Sequence, residues 1–335
     1  MKKVVFVVGI ICICVGILIL NYFVKLGVSR KIEAVKVRLN WVNNAQFTGL
    51  YVAIEKGFYK NEGLNVNIEE FQDGLDQGKE LTNNGVDYSI YTPVELLSDI
   101  AKGYNVKAIA AVYQTSPLIF VSLKSTNINT PKDFKGKLLS AKGDNFQAKL
   151  IYQTLANNYG VSSQSYKVTG LDFSMDEGDD LVKKRADMED IYRTDQIYFF
   201  NQRNIAYNVM YPENFGFKSY GDTIATSDEK IAKDPDQVRR FIRATQMGWA
   251  YALAHQQEAL SITKKYENDL YKDPQHEAYI LSQSASLIQP TGENPIGTMS
   301  IEEWSSVVNA MKAEGLIPSH VDASTAYTTD FLQDH

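Results

Sequence analysis

The 335-residue chain contains little cysteine, and none where a folded body could use it. Its two cysteines, Cys12 and Cys14, both lie near the N-terminus, so the chain from residue 36 onward has none. Disulfide bridges and cysteine–zinc sites are therefore excluded from the body of the protein.

Histidine is also scarce, and the common catalytic motifs are missing. No pair of histidines has the spacing of a zinc motif, and we expect His255 and His276 to lie on solvated helix faces. The chain has no P-loop, no G-x-G-x-x-G and no G-x-S-x-G. The acidic runs at residues 176–180 and 187–190 lack the spacing of a calcium loop. We therefore predict a binding protein that is not an enzyme and needs no cofactor or metal. The four histidines are His255, His276, His320 and His335.

Basic residues are too few, outside the N-terminus, to form a nucleic-acid-binding face. Residues 1–35 hold five basic residues and one acidic residue, which leaves 29 basic and 39 acidic residues in the rest of the chain. Binding to phosphate backbones needs a concentrated basic surface. Nucleic acid is therefore excluded as a partner.

The N-terminus carries the one long apolar run. Lys2 and Lys3 precede apolar residues from Val4 to Leu20, and the run continues to Val24. This length suffices for a membrane-spanning helix. A cleaved signal peptide has a shorter apolar stretch and a small-residue cleavage site, which is poorly matched here. We therefore predict that residues 1–35 form an uncleaved transmembrane anchor, with a cleaved signal peptide as the alternative.

From residue 35 the sequence alternates between short apolar strands and amphipathic helices, an α/β pattern. Glycines just after several helical stretches fit helix C-termini. Such alternation predicts a mostly parallel sheet with helices on both faces. The predicted strands cover residues 35–41, 65–71, 87–91, 106–113, 118–123, 137–141, 166–168, 187–192, 205–210 and 222–225. The predicted helices cover residues 47–61, 78–84, 93–102, 131–134, 146–159, 175–184, 194–202, 236–255, 256–271, 274–288 and 301–314.

The alternation restarts after residue 117, and the last third is almost wholly helical. Two strand–helix series followed by helices fit a two-lobed protein in which the chain crosses twice between lobes. We predict the first lobe at residues 36–117 plus 226–335 and the second at residues 118–225.

The segment following the first predicted strand has the composition of a binding loop. Trp41 offers a ring face, and Asn43 and Asn44 can both donate and accept hydrogen bonds. A loop at this position opens a helix whose free N–H groups point to the carboxyl edge of the sheet, where ligands of open α/β sheets bind. The alternative is structural: Trp41 in the core and Asn44 as a helix cap.

This segment also carries a family resemblance. Residues 40–59 read NWVNNAQFTGLYVAIEKGFY and are followed by NEGL at 61–64. They are similar to W-x-P-N-x-x-F/H-x-G-x-Y-V-A-x-E-K-G-x-Y with a following E-G-L, although Asn43 replaces the proline. Further matches lie at residues 84–88, 114–117, 241–254 and 296–299. The chain thus resembles the periplasmic substrate-binding proteins of the thiamine-pyrimidine precursor (NMT1/THI5-like) ABC-transporter family.

The resemblance implies a type II, Venus-flytrap fold with the ligand between two lobes. It implies a monomer in the periplasm or at the cell surface that passes a pyrimidine-like heteroaromatic ligand to an ABC permease. The alternatives are a ligand-sensing domain acting with a membrane signalling partner, or a binder of a flavin or a sulfonate. The related pyrimidine synthases use a histidine consumed as substrate and a cysteine-rich motif, and this chain has no histidine before His255.

We predict that a flat ring is held by side chains from both lobes. Resembling proteins place an acid near Asp195, where it could pair with an aminopyrimidine. The alternative for Asp195 is a charge that only favours a helix N-terminus. Closure would occur by hinge motion near residues 117–121 and 220–226. The predicted ligand-binding residues are Trp41, Asn44, Tyr91, Gln114, Tyr192 and Asp195.

Overall fold

The structure, a computed structural model, describes residues 31–171, 178–290 and 295–332. The predicted anchor at residues 1–35 falls almost entirely outside these residues. Within the described ranges, every helix is too short or too polar to cross a membrane.

Ten strands of the described residues form three sheets. A five-stranded sheet has the order β2-β1-β3-β10-β4, a three-stranded sheet has the order β8-β5-β9, and β6 pairs with β7. Ser140 N–H of β6 donates to the Met188 carbonyl beside β8 (2.8 Å), so the small sheet continues the three-stranded one. The strands are β1 (Glu33–Arg38), β2 (Leu64–Glu69), β3 (Tyr88–Tyr91), β4 (Val106–Ala111), β5 (Leu118–Leu123), β6 (Leu138–Ser140), β7 (Lys167–Thr169), β8 (Glu189–Tyr192), β9 (Tyr207–Met210) and β10 (Thr223–Ser227).

The prediction of a mostly parallel sheet is wrong, because the sheets are mixed. β1 runs parallel to β3, and β6 runs parallel to β7. By contrast, β10 is antiparallel to both β3 and β4, and β5 is antiparallel to both β8 and β9. The hydrophobic pattern of a strand shows which face is buried but does not encode the direction of its neighbour. The fold class is mixed α/β.

Helices pack on both faces of the five-stranded sheet, as predicted. One core cluster joins β3 and β1 to α1, α9 and α11. A second joins β4 to α4 and α12 and continues into β5 and α5. The helices of the described residues are α1 (Thr48–Glu55), α2 (Phe58–Asn61), α3 (Gln77–Thr82), α4 (Pro93–Ala101), α5 (Phe146–Asn158), α6 (Asp179–Val182), α7 (Ile197–Gln202), α8 (Asp228–Lys233), α9 (Pro235–Ala254), α10 (Gln256–Thr263), α11 (Pro274–Ile288) and α12 (Ile301–Ala313).

Local chemistry explains where two predicted helices end. The helix predicted at residues 47–61 is broken at Gly57, whose φ of 73° is left-handed and separates α1 from α2. The helix predicted at residues 256–271 ends at Thr263, and Asp269–Tyr271 forms a separate 3-10 turn capped by Asn268. This turn places the Tyr271 side chain in the candidate site.

Two connecting segments run side by side between the larger sheets. The first follows β4 and leads into β5, and the second follows β9 and leads into β10. Ser116 N–H donates to the Ser219 carbonyl (2.8 Å), and Gly221 N–H donates to the Tyr113 carbonyl (3.0 Å). All of β10 belongs to the five-stranded sheet, so the predicted boundary between residues 225 and 226 falls inside a strand.

Candidate ligand-binding site

The candidate site begins where β1 ends, in the segment singled out from the sequence. Asn44 caps a 3-10 helix, Ala45–Phe47, by accepting a hydrogen bond from the Gln46 N–H (2.8 Å). The cap turns the chain sharply and leads directly into α1. The Asn44 side chain is almost fully buried and also bonds to Tyr271. Its structural role as a cap is therefore real, and its role towards a ligand stays a prediction.

Trp41 and Asp195 meet at one hydroxyl group. Trp41 Nε1–H donates to the Tyr271 hydroxyl (3.0 Å), and that hydroxyl donates to Asp195 Oδ2 (3.0 Å). Burial and the Asp195 carboxylate raise the pKa of Tyr271. The structure thus joins two residues predicted for the site, one following β1 and the other following β8, through a tyrosine that the sequence analysis missed.

His276 completes this group, contrary to expectation. Its side chain is only 1% exposed, so the prediction of a solvated position is wrong. Nε2–H donates to Asp195 Oδ1 (2.6 Å). The imidazole stacks against Tyr198 (4.9 Å between ring centroids) and Tyr271 (5.6 Å). An imidazole with one carboxylate partner and aromatic neighbours can lie in a core without solvent.

Glu277 adds a second carboxyl group beside this cluster and is also 1% exposed. Burial raises its pKa to about 8, with further raising by the negative charges of Glu267 and Asp195, against the opposing effect of the Ala45 N–H. The side chain therefore holds a proton at neutral pH.

A second cluster of polar side chains surrounds Asp222, a residue that the sequence analysis did not identify. Its carboxylate is 4% exposed and accepts from Asn40 Nδ2–H (3.0 Å) and Gln46 Nε2–H (2.7 Å). Burial raises the pKa of Asp222 to about 6, and the Glu95 carboxylate contributes in the same direction. Among the residues that the structure describes, two neutral amides donate to this buried carboxylate. The signal in the sequence was weak: Gln46 lay in the binding segment and Asp222 began a predicted strand.

A small cavity of about 10 Å³ lies beside Asp222, which is room for about one water molecule. The cavity is lined by Gln46, Phe47, Leu50, Ile90, Val112, Asp222 and Trp249.

Tyr192 and Glu95 lie close enough to Asp222 to interact with its charge. Glu95 is exposed to solvent, yet the surrounding protein raises its pKa through desolvation. Burial also raises the pKa of Tyr192, with contributions from the charges of Asp222 and Glu95, although its side chain is partly accessible. Tyr192, which ends β8, thus lies near Asp222, which directly precedes β10 of the other sheet.

The remaining two predicted residues are engaged elsewhere. The Tyr91 hydroxyl donates to Asp99 Oδ2 of α4 (3.0 Å), and its ring is fully buried in a core cluster. Gln114 Nε2–H donates to the carbonyls of Ala111 (2.7 Å) and Thr298 (3.1 Å), which ties two loops together. Neither residue joins the hydrogen bonds around Asp195 or Asp222.

The fold is one that periplasmic binding proteins of known structure share. The periplasmic sulfonate-binding protein SsuA of Methylobacillus flagellatus KT has the same fold, with a TM-score of 0.68 and 13% sequence identity over 90% of this chain and 93% of that chain. The chain belongs to the NMT1/THI5-like family, whose profile matches residues 44–259.

Two relatives illustrate the range of the family. The riboflavin-binding protein RibY of Chloroflexus aurantiacus is 24% identical over 90% of this chain and 86% of its own length. A 4-amino-5-hydroxymethyl-2-methylpyrimidine phosphate synthase of Legionella pneumophila is 26% identical over 90% of this chain and 92% of its own length. The names of similar proteins thus include both a binding protein and an enzyme. Within the described residues, no three histidine, cysteine or acidic side chains form a metal-binding group.

Proposed function

We propose that this protein is an extracytoplasmic solute-binding protein that holds a small, pyrimidine-like heteroaromatic ligand between two lobes without transforming it. The first lobe contains residues 36–117 with 226–335, adjusted so that all of β10 belongs to it, and the second contains the three-stranded sheet. Trp41, Asn44, Tyr192 and Asp195 are the binding residues that we retain from the sequence. Tyr91 and Gln114 act as supporting residues.

The hydrogen-bonded series from Trp41 through Tyr271 to Asp195 carries this proposal. Residues that follow strands of two different sheets meet there at one hydroxyl. A ligand amino group can take the place of the Tyr271 hydroxyl as donor to Asp195. An aromatic ring beside Trp41 would add about 0.5–1.5 kcal/mol beyond burial.

The charges around the site favour particular ligands. Asp195 and Asp222 are carboxylates bonded to neutral or aromatic donors. A sulfonate would meet these negative charges, and like charges at short range are unfavourable. An aminopyrimidine or the imide edge of a flavin instead offers N–H donors, in keeping with the names of the relatives.

The partner that we propose is an ABC permease, with the predicted anchor at residues 1–35 holding the protein at the outer face of the cytoplasmic membrane. A sensor that passes its signal to a membrane protein is the second candidate, for which the anchor is the supporting feature. Uptake of the ligand by cells that lack this protein distinguishes the two, because loss of an importer component abolishes uptake and loss of a sensor does not.

Calorimetric titration of the 335-residue protein tests the binding function. The ligands are 4-amino-5-hydroxymethyl-2-methylpyrimidine, riboflavin and ethanesulfonate. We expect one of the two heterocycles to bind and to be recovered unchanged by mass spectrometry, and we expect ethanesulfonate not to bind.

Variants locate the site. Trp41→Ala and Asp195→Asn should each weaken binding about tenfold or more, since a hydrogen bond to a charged group contributes about 1.5–3 kcal/mol. Asp228→Asn is the matched control, because Asp228 pairs with Lys107 outside the site. Equal affinity in all three variants would remove Trp41 and Asp195 from the site.

A further inference from the structure

The hydrogen-bonding capacity around Asp222 is only partly used. Asn40 donates to Asp222 through Nδ2, which turns its own Oδ1 away from that carboxylate. Asn40 Oδ1 is buried and has no hydrogen-bond partner among the residues that the structure describes. Buried polar atoms are rarely left unpaired, because an unmade hydrogen bond costs about 1–3 kcal/mol. A free buried acceptor next to a carboxylate therefore indicates a place for an N–H donor.

Within the described part of the chain, the groups that interact with Asp222 are acidic or neutral. Glu95 of α4 contributes a second negative charge, and Tyr192 of β8 and Tyr113, which follows β4, are the aromatic neighbours. Gln46 and Asn40 supply the two amide donors. The electrostatic environment around Asp222 is thus one of acceptors and negative charge, which attracts donors and cations and repels anions.

We propose that Asp222 and Asn40 form the edge of the cleft that selects the ligand, and that the ligand presents at least two N–H donors there. This deepens the proposed function. The ligand class is a neutral or cationic, amino-substituted nitrogen heterocycle, and anionic ligands such as sulfonates are rejected. Asp222 determines specificity in this arrangement, whereas Trp41 and Asp195 belong to the separate hydrogen-bonded group around Tyr271.

The proposal also fixes the pH dependence of binding. The ligand bonds to the ionised carboxylate, and the pKa of Asp222 in the free protein is raised to about 6. Affinity is therefore near its full value from about pH 7 upward and falls as Asp222 becomes protonated, by about tenfold per pH unit well below pH 6.

Titration of the 335-residue protein with paired probes tests the proposal. The probes are 4-amino-5-hydroxymethyl-2-methylpyrimidine and 5-hydroxymethyl-2-methylpyrimidine, which lacks the amino group. We expect the wild-type protein to prefer the amino compound at least tenfold. Asp222→Asn should lose this preference and the fall in affinity at low pH. Asn40→Ala, which removes Oδ1 and keeps the Asp222 carboxylate, should lower the affinity for the amino compound severalfold.

The outcomes separate this inference from the proposed function. If the amino compound binds to Asp222→Asn as tightly as to the wild type, with the same pH profile, Asp222 does not select the ligand. The proposed binding function is unaffected by that result. If neither pyrimidine nor riboflavin binds to the wild type, both proposals are overturned. Asp228→Asn is again the control, and thermal unfolding of each variant shows that it is folded.

Discussion

Asp195 and His276 are joined by a hydrogen bond of 2.6 Å that spans 81 residues of sequence. Asp195 follows β8, and His276 lies in the first turn of α11, so the bond links two separate parts of the fold. Both side chains are buried, and Tyr271 donates to the other carboxylate oxygen. This arrangement makes Asp195 a structural junction as well as a candidate ligand contact.

The first prediction concerns the energetic coupling of this pair. Asp195→Asn and His276→Gln should each lower the free energy of unfolding by about 1.5–3 kcal/mol, because each removes a buried hydrogen bond to a charged group. Both substitutions remove the same hydrogen bond. The double variant should therefore lower the free energy of unfolding by clearly less than the sum of the two single effects. Urea unfolding measures this, with Asp228→Asn and His255→Gln as an exposed control pair. Strict additivity would contradict the coupling.

A second prediction follows from the ion pair between Arg38 and Glu80. Arg38 Nη2 lies 2.7 Å from Glu80 Oε1, and Nε lies 3.0 Å from Oε2, with the guanidinium almost fully buried. Glu80→Ala should cost about 3–5 kcal/mol, because it leaves a buried charge without its partner. Glu229→Ala, which breaks an exposed pair with Lys233 in α8, should cost less than about 1 kcal/mol. If Glu80→Ala and the wild type unfolded at the same urea concentration, Arg38 would have found another partner.

Close packing of two helices gives a third prediction. A Cβ atom at Gly248 of α9 would lie 2.2 Å from the Gly49 carbonyl oxygen of α1 and 2.7 Å from the Ala53 Cβ. Gly248→Ala must therefore separate the helices and should destabilise the protein by about 1–3 kcal/mol or more. Ala250→Ser, at an exposed position of the same helix, should change stability by about 0.5 kcal/mol or less. A melting temperature unchanged by Gly248→Ala would contradict this contact.

The buried carboxyl of Glu277 gives a fourth prediction, on pH. Its pKa is raised to about 8 in the folded protein, whereas an unfolded glutamate has its ordinary value near 4.5. The folded state therefore holds a proton that the unfolded state releases. This contribution to stability is complete below about pH 4.5 and is lost as the pH rises to about 8.

Glu277→Gln, which keeps the shape without the titrating group, should flatten this dependence. Each unit of pKa shift corresponds to about 1.4 kcal/mol, so the contribution is a few kcal/mol. Urea unfolding between pH 5 and 8.5 measures the slope. Glu258→Gln, at an exposed and ion-paired position, is the control. An identical slope in wild type and Glu277→Gln would show that another group titrates.

Much of the fold follows from local pattern in the sequence. The helix predicted at residues 274–288 has those bounds in the structure, and the strand predicted at residues 118–123 likewise. Hydrophobic periodicity and proline at a helix start act within a few residues, so the chain itself encodes them. The segment around Trp41 and Asn44 was identified in the same way, through its residue types and its place after a strand.

Tertiary structure alone decided the direction of strand pairing and the partners of the site residues. β10 returns antiparallel between β3 and β4, and Tyr271, Asp222 and His276 reach the site from distant parts of the chain. The sequences around these three residues do not predict their long-range contacts. Periodicity shows which face of an element is buried but not which other element covers it. Contacts between residues far apart in sequence depend on how whole elements pack, and that is set by the fold as a unit.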